Sequence, residues 1–384
     1  MDETFLDEGL QQLDQASMRR RLRTVEGPQG RVICVDGRQV INFCSNDYLG
    51  LANDERIKQA AVSAIETQGF GSGASRLICG NNTEHLVLEQ KIADLKATEA
   101  ALVFSSGFMA NTGIIPALFD REDIILSDRF NHASIIDGII ISRAQFKRYA
   151  HNDMQALENE LKQAADFKKR LIVTDSVFSM DGDRANLKAI VELARRYDAW
   201  VMVDEAHGFG VLGAHGAGLV EQEGLTGEID IQMGTLSKAA GCFGAYLAGS
   251  RKLREYLINH ARSFIYTTAM PASSAAAASK AIEIIQEEPE RRQKVLAAAA
   301  LVRQELQMMG FDTMNSTTPI IPILMKDSAA ALKMSAQLLE QGILALAIRP
   351  PTVPVNTARL RLTITASHTK EDLGKLLKAM KSLR

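Results

Sequence analysis

The sequence has 384 residues, of which 46% are hydrophobic and 23% are charged, and its formal net charge is −2. This length allows two domains around a large core, and the composition is that of an ordinary globular protein. The near-neutral charge gives no overall attraction to nucleic acid or to anionic lipid, so we expect neither as a partner. The acidic, polar N-terminus does not resemble a signal peptide, and no apolar run approaches the roughly 18 residues of a membrane span.

The sequence contains four cysteines, Cys34, Cys44, Cys79 and Cys242, and no C-x-x-C pair. Their spacing is typical of neither a zinc site nor a disulfide framework. We therefore expect no metal, and a reduced, cytoplasmic environment for the protein. The basic run "MRRRLR" at 18–23 is compatible with a solvated helix face or with a binding role.

Short apolar runs that end in polar residues recur through the middle of the chain. They are "AALVFSSG" (100–107), "DIILSD" (123–128), "RLIVTDS" (170–176), "WVMVDEAH" (200–207), "IDIQMGTLSK" (229–238) and "GAYLAGS" (244–250). Strands that are apolar throughout are buried on both faces, so these runs predict a mostly parallel sheet covered by helices. Between them, "NLKAIVELARRY" predicts an amphipathic helix with Asn186 as its N-cap.

From about residue 275 the pattern becomes that of a smaller α+β domain. "SSAAAASKAIEIIQ" predicts a long helix, and "TTPIIPILMK", "SAQLLEQG" and "ARLRLTITAS" add further strand and helix patterns. In "HTKEDLGKLLKAM", Thr369 is the predicted N-cap and Asp372 its capping-box partner. We predict an N-terminal segment (1–45), a large domain (46–275) and a small C-terminal domain (276–384).

Polar and small residues stand where the predicted strands of the large domain end. They are Ser106, Gly107, Phe108, His132, Ser179, Asp204, His207, Thr235, Ser237 and Lys238. Each alone has a structural explanation, such as a helix cap or a satisfied core histidine. Doubly wound sheets bind ligands beyond the carboxyl ends of their strands, so the whole set predicts a binding site.

The residue types in this set are those that pyridoxal 5'-phosphate requires. A lysine that loses its proton can form a Schiff base with an aldehyde, and a carboxylate can pair with a pyridine nitrogen. The glycine turn in "SSGFMANTG" offers helix N–H groups to a phosphate. Small residues around Lys238 in "TLSKAAGCFGAY" leave room for the ring.

Several longer motifs carry a family resemblance. They are "NFCSNDYLGL" (42–51), "GSGASR", "HASIIDG", "VFSMDGD", "VDEAHGFGVLG", "GTLSKA" and "RLRLTITASH" (359–368). With them, nearly the whole chain resembles the α-oxoamine synthase family of fold-type I pyridoxal-phosphate enzymes. The resemblance implies an α/β fold-type I transferase: a large domain with a mostly parallel sheet covered by helices, and a smaller C-terminal α+β domain.

The resemblance also implies roles for residues at matching positions. Lys238 would bind the cofactor covalently, Asp204 would pair with its pyridine nitrogen, and His132 would stack on its ring. The remaining cofactor contacts would come from Gly107, Phe108, Ser179, His207, Thr235 and either Thr267 or Thr268. Because family members are homodimers, the threonine would reach the phosphate of the neighbouring subunit.

A second set of residues is predicted to bind substrate. The period-2 strand "ARLRLTIT" places Arg359, Arg361, Thr363 and Thr365 on one face, where an arginine could clamp a carboxylate or form a surface ladder. The resemblance assigns the carboxylate to Arg361 with Asn46 assisting. It assigns further substrate contacts to Arg20, Thr352 and His132.

The implied reaction is a decarboxylative condensation of an amino acid with an acyl thioester. "IRPPTVP" (348–354) favours L-alanine and a pimeloyl donor, carried by coenzyme A or by acyl carrier protein. "HASIIDGIIISRAQFKRYAHNDM" suits almost as well a family member that joins glycine to a short acyl-coenzyme A. A non-catalytic subunit is a third alternative, against which the joint presence of Lys238, Asp204 and His132 argues.

"GFGVLG" at 208–213 matches G-x-G-x-x-G and raises a different hypothesis, a nicotinamide dehydrogenase. The dinucleotide fingerprint requires its glycines at the end of a strand and a helix directly after them. Here "DEAH" intervenes and a loop-like stretch follows, so the pattern gives this alternative little support.

Overall fold

A computed structural model describes residues 3–384, and the chain forms two compact units. One unit comprises the described residues up to Asn46 together with Met180–Gly182 and Val295–Arg384. The other comprises Asp47–Ser179 and Asp183–Lys294. We call them the terminal unit and the central unit. The sequence-based boundaries at 45/46 and 275/276 stay predictions.

The strands and helices follow in chain order. The strands are β1 (Val25–Glu26), β2 (Val32–Val35), β3 (Arg38–Asn42), β4 (Ala100–Phe104), β5 (Ile124–Asp128), β6 (Gln145–Tyr149), β7 (Arg170–Asp175), β8 (Trp200–Asp204), β9 (Ile231–Thr235), β10 (Ala245–Gly249), β11 (Ile320–Lys326), β12 (Ile343–Leu344), β13 (Leu346–Ile348) and β14 (Ala358–Thr363). The helices are α1 (Thr4–Gln15), α2 (Glu55–Gln68), α3 (Thr83–Lys96), α4 (Gly107–Leu118), α5 (Ala133–Ser142), α6 (Met154–Gln163), α7 (Leu187–Arg196), α8 (Leu219–Gln222), α9 (Arg251–His260), α10 (Arg262–Ile265), α11 (Ala272–Glu287), α12 (Pro289–Met308), α13 (Ser328–Glu340) and α14 (Lys370–Ser382), with a π-helical turn at Arg76–Gly80.

The central unit is built on a seven-stranded sheet with the order β4-β10-β9-β8-β7-β5-β6. All neighbouring strands are parallel except β10, which runs antiparallel to both β4 and β9. Strands β5, β9 and β10 are buried along their whole length, as their apolar sequences predict. The predicted fold class, a mostly parallel sheet covered by helices, is confirmed.

Helix caps and apolar faces in the central unit follow the sequence closely. The side chain of Asn186 caps α7 by accepting a hydrogen bond from the Ala189 N–H. The helix buries Leu187, Ile190 and Val191 on one apolar face. Helices α4 and α5 contribute to one apolar core with the strands; its buried members include Ile114, Ile139, Ile125, Val173, Met202 and Met233.

The terminal unit contains two small sheets and an α+β arrangement. The sheet orders are β1-β2-β3-β12 and β11-β14-β13. Helix α14 begins at the predicted capping box, in which Thr369 and Asp372 exchange side chain–backbone hydrogen bonds. The ring of His368 stacks on Phe43 at 4.2 Å, which fixes the chain just before that helix.

The described residues contain neither a helix suited to crossing a membrane nor a cluster suited to holding a metal ion. None of the helices within 3–384 combines the length and the apolar character that crossing a bilayer requires. Over the same residues, no group of three or more His, Cys, Asp or Glu side chains is arranged to hold a metal ion. All four cysteines are free thiols.

Candidate active site

Lys238 lies on a short hairpin between two central strands. Strand β9 ends at Thr235, and β10 begins at Ala245 as its antiparallel neighbour. The Thr235 hydroxyl donates to the Gly244 carbonyl at 2.9 Å and lies 2.7 Å from the Ser237 hydroxyl. These bonds close the loop at its base, so the half-buried Lys238 is held at the carboxyl end of β9.

Asp204 ends the neighbouring strand β8 and is only 3% exposed. Its Oδ1 accepts a hydrogen bond from the Ala206 N–H at 2.9 Å, and its Oδ2 accepts one from the Asn111 side-chain amide at 3.0 Å. Because both oxygens accept, the carboxylate is fixed in one orientation at the strand end.

His132 is the N-cap residue of α5 and lies close to the charges of Asp204 and Lys238. Its backbone N–H donates to Asp175 Oδ2 at 2.8 Å, and its ring Nδ1 lies 2.8 Å from the Ser134 hydroxyl. Burial lowers the pKa of His132, and the Lys238 charge lowers it further, although Asp204 raises it. The neutral imidazole is therefore favoured.

Asp175 is an acidic neighbour that the sequence did not single out. Burial raises its pKa well above the usual value, and the negative charge of Asp204 adds to the effect, whereas the His132 N–H and Lys238 oppose it. Two carboxylates this close are not both readily ionised. Burial and the neighbouring negative charge therefore favour the neutral form of Asp175.

His207 follows Asp204 on the next turn and is 7% exposed. Its Nδ1 lies 2.5 Å from the hydroxyl of Tyr48, which is itself buried. The tyrosine sets the direction in which the imidazole points. No sequence signal marked Tyr48, because it lies almost 160 residues away in "NDYLGL".

Gly107 opens α4 at the end of β4, as the sequence predicted. The Ser106 side chain caps the helix by accepting from the Met109 N–H at 3.2 Å. A Cβ on Gly107 would lie 4.0 Å from Cβ of Thr235, so the helix N-terminus stands next to the lysine hairpin. Phe108 is half exposed beside it. Helix N-termini bind anions, so this corner suits a phosphate.

The remaining predicted cofactor residues are Ser179, Thr267 and Thr268. Ser179 is half-buried beyond the end of β7. Thr267 and Thr268 follow α10 and line a small cavity with Arg76 and His85. The role predicted for the two threonines requires a second subunit. The roles of all three residues stay predictions.

The predicted substrate residues Arg361, Asn46, Arg20 and Thr352 all lie in the terminal unit. Arg361 Nη2 donates to Asn46 Oδ1 at 3.0 Å, and Nη1 donates to the hydroxyl of Thr363 at 2.9 Å. Arg20 donates to the hydroxyl of Thr352 at 3.2 Å. Both residues of this second pair line a cavity of about 70 Å³.

The arginines of β14 do not form a surface ladder. Arg359 is 1% exposed and Arg361 is 7% exposed. Arg359 pairs with Asp181 at 2.7 Å, which accounts for its burial as a structural ion pair. The Arg361 guanidinium is held in place by hydrogen bonds that include those to the Asn46 side-chain oxygen and the Thr363 hydroxyl.

The nicotinamide interpretation of "GFGVLG" is wrong. Strand β8 ends at Asp204, and the next helix begins only at Leu219, so no helix opens on the motif. A Cβ on Gly208 would lie 2.2 Å from Glu205 Oε2, and Gly210 has φ of +75°. Close packing and backbone conformation therefore explain these glycines.

The chain is similar to known proteins over nearly its whole length. A curated 8-amino-7-oxononanoate synthase from Geobacter sulfurreducens is 52% identical over 373 residues, covering 97% of this chain and 95% of that protein. A structure of serine palmitoyltransferase from S. paucimobilis with bound PLP and myriocin has a TM-score of 0.94 at 30% identity, covering 99% of this chain and 97% of that one. A structure of 8-amino-7-oxononanoate synthase from Francisella tularensis has a TM-score of 0.78 at 30% identity, covering 89% of this chain and 97% of that one.

The family model described as aminotransferase class I and II matches residues 38–380, which is most of the sequence. The match includes every strand end that contributes to the Lys238 cluster. The chain belongs to the aminotransferase class I and II family.

Proposed function

We propose that the chain is a pyridoxal-phosphate-dependent acyltransferase that condenses L-alanine with a pimeloyl thioester. The products are carbon dioxide, the free carrier and 8-amino-7-oxononanoate, an intermediate of biotin biosynthesis. The observation that carries this proposal is the 52% identity to a synthase of that name over almost the full length of both chains.

The side chains of the central unit fit pyridoxal 5'-phosphate. Lys238 supplies an amine, and the buried Asp204 supplies a carboxylate already oriented by two donors. The N-terminus of α4 at Gly107 supplies N–H donors for a phosphate, and Thr235 lies beside it. When bound, the cofactor supplies an aldehyde for amines and a ring that withdraws electrons from carbon.

Within the reaction, we assign a proton-transfer role to Lys238. Its Nζ would hold the cofactor and, once the amine of alanine has displaced it, would take the proton from Cα of alanine. Asp204 would pair with the pyridine nitrogen and favour its protonated form. His132 would lie against the ring, and as a neutral imidazole it would donate a hydrogen bond to the thioester carbonyl. His207 and Ser179 would contact the phenolic side, and Phe108 would help to hold the phosphate or ring.

The terminal unit supplies the substrate contacts. Arg361, oriented by Asn46, binds the carboxylate of alanine as a bidentate pair. Arg20 and Thr352 bind the pimeloyl donor. Support for these roles comes from the hydrogen bonds within the two pairs and from the burial of Arg361.

The assembly and the location of the protein are part of the proposal. We propose a cytoplasmic homodimer in which Thr267 or Thr268 reaches the cofactor phosphate of the partner subunit. C2 symmetry is the commonest closed arrangement for soluble oligomers. The acyl carrier is either coenzyme A or acyl carrier protein.

A substrate panel followed by mass spectrometry tests the proposed activity. Alanine with pimeloyl-coenzyme A or pimeloyl-acyl carrier protein should give 8-amino-7-oxononanoate, and glycine with acetyl-coenzyme A should give little product. Because a pocket gains only roughly 1–3 kcal/mol from one methyl group, the acyl donor should discriminate more than the amino acid. A preference for glycine and acetyl-coenzyme A would contradict the proposal.

A pair of threonine variants in one loop tests the donor site. Thr352→Ala should raise the KM for the pimeloyl donor, because it removes the hydroxyl that Arg20 contacts. Thr357→Ala is the matched control, since the Thr357 hydroxyl bonds only locally, to the Pro354 carbonyl at 2.7 Å. Equal effects of the two variants would argue against a donor site at Thr352.

A further inference from the structure

Asn111 and Ser134, which have no role in the proposed function, connect Asp204 to His132 through hydrogen bonds. The Asn111 amide nitrogen donates to Asp204 Oδ2 at 3.0 Å and to the Ser134 hydroxyl oxygen at 2.9 Å. The Ser134 hydroxyl in turn lies 2.8 Å from His132 Nδ1. A continuous chain of hydrogen bonds therefore runs from the carboxylate to the imidazole.

The direction of each hydrogen bond in this chain is fixed by the chemistry of its ends. A carboxylate accepts, so the group of Asn111 that faces Asp204 is the NH₂ and not the oxygen. The second hydrogen of that NH₂ then points to the Ser134 oxygen. With its oxygen accepting, the Ser134 hydroxyl directs its own hydrogen to His132 Nδ1.

A second donor reaches the same ring nitrogen. The backbone N–H of Ser134 donates to His132 Nδ1 at 3.2 Å, which makes the imidazole the N-cap of α5. A nitrogen that accepts from two donors cannot carry a proton of its own. The remaining proton of the neutral ring is therefore on Nε2.

Helices α4 and α5, which carry Asn111 and Ser134, pack closely together at this point. Asn111 is fully buried on α4, and Ser134 is 1% exposed on α5. A Cβ on Gly138 would lie 2.6 Å from the Asn111 carbonyl oxygen, so only glycine permits the helices to approach this closely. The Asn111 Oδ1 is buried without a partner among the described residues, which indicates that the NH₂ contacts dictate the rotamer.

We propose that Asn111 and Ser134 are positioning residues that hold His132 as the neutral Nε2–H tautomer. Nε2–H is then the donor available to a substrate carbonyl. The assignment of the tautomer does not depend on the proposed function, whereas the use of Nε2–H toward a thioester does.

Taken together, the charged groups around His132 are compatible with a neutral imidazole. Asp204 and Asp137 favour protonation of the ring, and Lys238 disfavours it. Asp175 binds the backbone N–H of His132 at 2.8 Å. The positive end of the α5 dipole disfavours an imidazolium at the N-cap. Burial lowers the pKa of His132 in the same direction.

Nitrogen NMR of the cofactor-free protein labelled with [15N]histidine tests the proposal. A His132→Gln variant identifies the His132 signals by their disappearance. We expect an unprotonated Nδ1 and a protonated Nε2 at pH 7 in the wild-type protein. A proton on Nδ1, alone or in a doubly protonated ring, would overturn the proposal.

The variant Ser134→Ala removes one oxygen from a buried position and leaves the backbone N–H donor in place. Its midpoint for His132 protonation should rise by about one pH unit, since a hydrogen bond to the neutral form is lost. Ser142→Ala on the same helix is the control, because its hydroxyl bonds locally: it donates to the Ile139 carbonyl at 2.6 Å and accepts from the Ala144 N–H at 3.1 Å. An unchanged midpoint in Ser134→Ala, or an equal shift in both variants, would overturn the role of Ser134.

A variant of Asn111 tests the other link. In Asn111→Leu the Ser134 hydroxyl can rotate away from Nδ1, so the midpoint for His132 protonation should rise, as it does in Ser134→Ala. An unchanged midpoint would overturn the role of Asn111. In the loaded enzyme, the acid limb of kcat/KM for the acyl donor should shift upward in Ser134→Ala. A shifted NMR midpoint with no such shift in the acid limb would contradict the role of His132 in the proposed function and leave the tautomer assignment standing.

Discussion

The stability of the central unit should depend on a protonated histidine, His151. Both of its ring nitrogens contact carboxylates: Nδ1 lies 2.9 Å from Asp128 Oδ1, and Nε2 lies 2.8 Å from Asp183 Oδ2. The ring also stacks on Phe130 and meets the edge of Phe178, each at 4.4 Å. Because carboxylates only accept, both nitrogens donate and the ring is a cation.

The pKa of His151 gives the size of the effect. Burial lowers it, but hydrogen bonds and charge from Asp128 and Asp183 outweigh burial and raise it from 6.5 to about 10. Below pH 6.5 the ring is protonated in both folded and unfolded chains, so the full stabilisation is present. As pH rises toward 10, the stabilisation falls by about 1.4 kcal/mol per pH unit, or about 5 kcal/mol over the window.

Urea unfolding of wild type and His151→Asn at pH 6.5, 7.5 and 8.5 measures this contribution. The difference in free energy of unfolding between the two proteins should be largest at pH 6.5 and shrink with pH. The exposed His260→Asn is the control and should show no such trend. A difference that is independent of pH would refute the reasoning, because it would mean that the ring is neutral in the folded state.

Three further predictions concern the site. Arg361→Lys should raise the KM for L-alanine roughly 10- to 100-fold, because a charge-assisted hydrogen bond to the carboxylate is lost. Arg359→Lys, on the same strand, is the control and should chiefly lower the urea midpoint of unfolding. Equal effects of the two variants on the KM would contradict the role given to Arg361. Lys238→Ala should abolish turnover and covalent cofactor attachment, and borohydride should fix the cofactor of the wild type on the Lys238 peptide and on no other lysine. Asp204→Asn should bind cofactor but lose exchange of the alanine α-proton, which NMR in deuterated water detects; exchange near the wild-type rate would exclude the role given to Asp204.

The elements with strong local signals were predicted correctly from the sequence. The apolar strands are such a case, and so are the caps at Asn186 and Thr369, where one side chain bonds to a backbone group three residues away. Strand β6 was missed because its sequence "QFKRY" is polar and mostly exposed at the edge of the sheet. An edge strand of this kind has neither an apolar run nor a clean alternation.

The supporting residues of the site could not be predicted, because their partners are distant in sequence. Asn111 is one polar residue in the apolar helix segment "GFMANTGIIPAL", and it meets Asp204 from 93 residues away. Tyr48 meets His207 across 159 residues. A buried polar residue in an apolar helix is a signal that a partner exists, but the sequence does not say which one.

The lysine hairpin has a consequence for how the protein folds. Only nine residues (236–244) separate β9 from β10, whereas the parallel pairs of the sheet are closed by crossover segments. Short hairpins form in roughly 1–10 μs, and parallel pairing is slower because more chain entropy is lost first. We expect the hairpin to be an early local structure during folding. Lys238, the residue proposed to hold the cofactor, would then be in place before the strands that lead to Asp204 and His132 have joined it.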